Sequence, residues 1–67
     1  MTALREQLTQ AGFDFELYQQ GSRVCAWIKG EDQDWILVDS IAVEHGATWN
    51  AYDPTNLGFT PLMEGEG

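Results

Sequence analysis

The stretch from Phe13 to Asp39 limits the possible folds of this chain more than any other. It opens Phe13-Asp14-Phe15-Glu16-Leu17, apolar and acidic in strict alternation. A period of two sends successive side chains to opposite faces of a strand, so the three apolar residues share one face and both carboxylates the other. Two further segments follow, Val24-Cys25-Ala26-Trp27-Ile28 and Trp35-Ile36-Leu37-Val38, each apolar on both faces. Gln20-Gly21 and Gly30-Glu31-Asp32-Gln33 supply the glycine and polar residues that turns use. The economical expectation is a three-stranded antiparallel meander.

The flanking residues complete an α+β domain. Leu4, Leu8 and Ala11 recur at i, i+4 and i+7, which predicts a helix over residues 3 to 11 with one apolar stripe. Thr2 is placed to cap its start, and Gly12 to take the left-handed position after its end. Three turns do not persist alone, so the stripe must dock, and Phe13, Phe15 and Leu17 are the nearest platform. In the second strand Ala26 is small enough for a helix to pack closely, which puts Val24, Ala26 and Ile28 beneath it. Cys25 and Trp27 then lie on the outer face beside Asp14 and Glu16. The third strand turns either Trp35 and Leu37 or Ile36 and Val38 inward. Asp39-Ser40 either caps a short helix over Ile41 to His45 or lets Ile41-Ala42-Val43 prolong the strand. Thr48 to Tyr52 alternates and reads as a fourth strand, followed by a turn at Asp53-Pro54-Thr55-Asn56. Leu57 and Phe59 are candidates to pin the next segment to the sheet. The expected architecture is an N-terminal helix packed on a small antiparallel sheet of three to four strands, one domain over residues 1–62. Residues 63–67 read as a flexible acidic tail.

Size and charge bound the function. A chain of 67 residues makes one domain, and it buries only about 60% of its unfolded surface. One cysteine excludes an internal disulfide, so dense aromatic packing or oligomerisation must compensate; a homodimer is compatible with this composition. The start has no apolar run before a cleavage site, and no stretch is long enough to span a bilayer, so a cytoplasmic protein is expected. Eleven acids against three bases leave a net charge of −8. Such a field disfavours direct contact with nucleic acid or anionic membranes and favours basic protein surfaces.

Catalytic and metal chemistry find little support. A Cys25/His45 nucleophile pair needs an electropositive setting, whereas Cys25 sits mid-strand among apolar residues and reads as a packing residue. His45 suits the free carbonyls at the end of a short helix. The acids follow no zinc or calcium spacing, Glu31-Asp32-Gln33-Asp34 is too short for a cation loop, and phosphate-cradling glycine loops are absent. Neither an enzyme nor a cofactor or metal is expected.

The acidic face is the stronger candidate. Side chains two apart on a strand point the same way about 6.6–6.8 Å apart, and Asp14 with Glu16 meets this condition. Asp32 and Asp34 extend the series at the neighbouring turn. Nucleic-acid phosphates, with one charge per about 3.4 Å of axis on each strand, recur at a comparable step through space. A sheet carrying carboxylates at that spacing fits a Lys/Arg groove built for DNA or RNA. Trp27 on the same side is either a partner-binding anchor ringed by acids or a residue covered by Trp35, Trp49 or Tyr52.

In charge, size and the Phe13-Asp14-Phe15-Glu16 strand, the chain resembles small acidic phage-encoded inhibitors, above all the anti-CRISPR and DNA-mimic type. That resemblance implies a stoichiometric inhibitor on a basic, nucleic-acid-binding protein or complex, in the host cytoplasm if phage-encoded. Asp14, Glu16, Trp27, Glu31, Asp32 and Asp34 are its expected contact residues. The alternative is a structural or accessory module that self-assembles through its aromatic face.

Overall fold

The structure, a computed structural model, describes residues 2–62. Its elements are α1 (Thr2–Gln10), β1 (Asp14–Gln20), β2 (Arg23–Lys29), α2 (Trp35–Glu44), β3 (Thr48–Asn50), a 3-10 turn (Pro54–Leu57) and β4 (Thr60–Pro61). The strands form one sheet in the order β3-β2-β1-β4. The fold is α+β with the N-terminal helix packed on the sheet, as the sequence implies. The cap assigned to the Thr2 side chain and the acidic tail over 63–67 lie outside the described residues. Within them, no helix is long and apolar enough to cross a membrane.

The β1–β2 hairpin is the frame. Its register runs from Asp14↔Lys29 to Gln20↔Arg23. Gly21 takes a positive φ of 61° while Ser22 does not, the signature of a type II′ turn. Alternation then turns Leu17, Ala26 and Ile28 inward. They meet Leu4 and Leu8 of α1 and Val38 and Ile41 of α2 in one buried cluster, with Phe13, Phe15 and Val24 at its margin. Ala11 is exposed, because α1 stops at Gln10.

One expected strand is a helix. Trp35-Ile36-Leu37-Val38 starts α2, which runs on through the segment read as a separate short helix or strand extension. Asp34 accepts from the Leu37 backbone N–H at 3.1 Å and so caps the helix. Val38, Ile41 and Ala42 are buried at a helical spacing, whereas Ile36 and Val43 are 85% and 68% exposed. Four apolar residues in a row satisfy either period, and only the longer window over Trp35–Glu44 separates them.

The sheet is consequently mixed rather than antiparallel. A helix between two strands returns the chain to the edge from which it left, so β3 pairs parallel to β2, Trp49 beside Ala26. β1 and β4 pair antiparallel, with Leu62 N–H donating to the Leu17 carbonyl at 2.9 Å. Of the proposed pins, Phe59 is half-buried and Leu57 is 60% exposed. Both edges are short, and Pro61 interrupts one of them, which limits edge-to-edge pairing.

Replacing Asp34→Ala should lower stability by about 1 kcal/mol in urea unfolding, the usual cost of a lost N-cap. Asp34→Ser should recover most of it. An unchanged midpoint for Asp34→Ala would count against a capped helix at this position.

Candidate interaction surface

Alternation along β1 and β2 makes the sheet two-sided. The face turned from the helices carries Asp14, Glu16, Tyr18 and Gln20 on β1, with Cys25, Trp27 and Lys29 on β2. Tyr18 and Cys25 are only 4% and 3% exposed, so this face has its own buried layer. Its cover is the segment after β3. Gln20 donates from Nε2 to the Leu57 carbonyl at 3.2 Å, tying the 3-10 turn to this side. Pro54 is buried, and Asp53 caps the turn by accepting from the Thr55 backbone N–H and hydroxyl at 2.9 and 2.8 Å. Those bonds hold the Asp53 carboxyl below its ordinary value, the backbone donor contributing most.

At the uncovered end, Glu16 is the hub of a small polar network. It accepts from Lys29 Nζ at 3.0 Å and from the Tyr18 hydroxyl at 2.9 Å. Lys29 first and Tyr18 second hold its carboxyl below the usual range. Burial, then the bond to Glu16, pushes the Tyr18 phenol up to about 12. The charge of Asp53 is felt at both Glu16 and Tyr18, which adds a carboxylate that the sequence reading left in a turn.

The expected acidic patch is brought together in part. Asp14 lies opposite Lys29 in the hairpin register, and Glu31 and Asp32 follow in the turn just beyond it. The carboxylates of Asp14, Glu31 and Asp32 have no hydrogen-bond or salt-bridge partner among the described residues. Glu16 is engaged by Lys29, and Asp34 is engaged as the α2 cap. Trp27 is half-buried, its ring 6.2 Å from that of Tyr18 and 4.8 Å from Lys29 Nζ.

An aromatic cleft adjoins this end. β3 pairs only with Cys25–Trp27, so β2 runs on past it and the chain leaves the sheet at Ala51. The notch is a cleft of about 790 Å³ lined by Trp27, Lys29, Glu31, Trp35, Trp49 and Tyr52. It opens where the carboxyl ends of two parallel strands meet the start of the intervening helix, a recurrent position for binding sites in parallel sheets. Trp35 and Trp49 stack at 5.4 Å with their planes 10° apart. Trp49 Nε1 donates to Asp39 Oδ1 at 3.0 Å, which locks that ring.

No protein-family model, curated protein or solved structure matches this chain. Its own geometry separates the two residues considered for nucleophilic chemistry. Cys25 belongs to the outer layer, where burial pushes its thiol up and disfavours the thiolate. His45 ends α2, and its Nε2 lies 2.7 Å from Gln7 Oε1 on α1 rather than against the helix carbonyls. The sheet stands between them.

Tyr18 makes the buried outer layer testable. A phenol is neutral until it loses its proton, and here the folded state holds that proton above the ordinary 10.0. Its stabilising contribution is whole below that ordinary value and is lost as pH rises through about 12. In Tyr52→Phe, which leaves Tyr18 as the sole tyrosine, phenolate absorbance should appear with a midpoint near 12 and coincide with falling stability. A midpoint at the ordinary value, with the fold intact, would mean that Tyr18 is open to solvent.

Proposed function

We propose that this chain is a non-enzymatic, stoichiometric inhibitor that sits on the basic, nucleic-acid-binding surface of an effector, in the manner of anti-CRISPR proteins. The observation that carries the reading is the gathering of Asp14, Glu31 and Asp32 at one end of the hairpin without partners among the described residues. A carboxylate already paired within the fold has less to offer a partner, and these three are not so paired. Asp53 adds to the same field, and the net charge of −8 extends it into solvent. Electrostatic steering of this kind raises the rate of encounter and selects against acidic competitors. The half-buried Trp27 beside Glu16 supplies apolar contact at the rim of the patch.

Affinity capture from a bacterial lysate tests the reading, with the wild type and Asp14→Lys/Asp32→Lys compared at low and high salt. Both positions are exposed and outside the core, so the fold should be retained. The expected result is retention of a basic nucleic-acid-binding protein that high salt releases. Association of the double variant with that protein should be slower by about ten-fold or more at low salt. Undiminished capture by the variant would remove the patch from the interface.

Self-assembly remains a second reading, and one observation moves its location. The outward side of α2 exposes Ile36 and Val43, seven residues apart on one stripe, with Leu37 beside them, whereas all three tryptophans are half-buried. If copies associate, this stripe is the place. Sedimentation should then show a concentration-dependent oligomer that Ile36→Lys/Val43→Lys dissolves. A monomer at every concentration would reject it.

A further inference from the structure

We infer that the aromatic cleft is a socket for an arginine side chain presented by a basic partner; the inference rests on the reading above and adds its specificity. Four aromatic side chains line the cleft, and their ring faces attract cations lying within about 6 Å of the centroid. One of them already does so within the fold. Lys29 Nζ stands 4.8 Å from the Trp27 centroid, held there by Glu16 at 3.0 Å. That pairing largely neutralises Lys29, the one cation in the lining among the described residues, and Glu31 is the acid there. Trp35, Trp49 and Tyr52 then face an incoming group with no cation of their own.

The shape selects the cation. Trp35 and Trp49 stack on one another 10° from parallel, a two-ring slab that leaves an outer indole face for a ligand rather than a box of crossed rings. A spherical ammonium or trimethylammonium group gains most when rings surround it, whereas a planar guanidinium can lie flat on an indole. Guanidinium is also the more weakly hydrated cation, and its fork of donors can engage a carboxylate with two parallel bonds. Glu31, without a partner among the described residues, is in the lining to accept them. The slab is largely set in advance. Trp35 begins α2, and the bond from Trp49 to Asp39 fixes the second ring, so little side-chain freedom is lost on binding. Trp27 and Lys29 belong both to the cleft and to the acidic end, so one partner can engage the two together.

Nona-arginine and nona-lysine carry the same charge and differ in the feature at issue. Labelled peptides titrated with the whole chain should show nona-arginine binding about five-fold or more tighter than nona-lysine. Tyr52→Leu and Glu31→Gln should each pull that ratio towards one. Both residues are exposed, Tyr52 at 77%, so neither change disturbs the core, and taking the ratio cancels the lost charge of the second variant. Equal, salt-sensitive binding of both peptides would overturn the socket and leave acidic docking standing. An arginine preference that survives both substitutions would also overturn it. Failure of both peptides to bind at low salt would remove both readings.

Discussion

Everything in this molecule depends on the register between β1 and β2. With Leu17 opposite Ala26 and Tyr18 opposite Cys25, each strand sends one set of side chains to the helices and the other set away from them. A slip of one residue would exchange the two sets, burying Glu16 and exposing Leu17. Gly21 secures one end of the hairpin. At the other, Gly30 adopts a φ of 106°, and a Cβ there would collide with the Gln33 amide that bonds the Lys29 carbonyl. A glycine at each end therefore holds a pairing whose centre is specified by hydrophobicity.

The two-sided sheet also explains how so short a chain acquires a core. On the inner side, Ile28 and Val38 are completely shielded at the junction of both helices with the sheet. On the outer side, Tyr18, Cys25 and Pro54 form a thinner layer, with the 3-10 turn tied down by the bond from Gln20 to the Leu57 carbonyl. At about 0.05–0.15 kcal/mol per residue, a domain of this size has little stability to spare. Neither layer looks dispensable on that scale. The acids are arranged to oppose this as little as possible, since no charged side chain is buried among the described residues.

Alternation in Phe13-Asp14-Phe15-Glu16-Leu17 was enough to place Asp14 and Glu16 together on the outer face, and to put Cys25 and Trp27 beside them. It did not show that Glu16 is tied to Lys29 and Tyr18, or that Asp34 serves as a cap, because those roles depend on partners outside the strand. Asp53 looked like an ordinary turn residue until the loop was seen to lie over the sheet. The cleft was the least legible feature. Its walls come from β2, the start of α2 and the end of β3, which approach only because β3 returns parallel to β2.

Local properties were therefore readable along the chain: the α+β class, the N-terminal helix stripe at Leu4 and Leu8, the hairpin with its inward Ala26 and Ile28, and the strand at Thr48. Each depends on periodicity or turn chemistry over a few neighbouring residues. The identity of Trp35–Val38, the parallel pairing of β3 and the burial of the outer face are of another kind. A run of four apolar residues suits strand and helix equally, and the choice falls to whichever leaves the larger surface buried. Here the helix wins because Asp34 caps its start and Val38 and Ile41 join the core against the sheet, contacts that exist only once the chain has closed on itself.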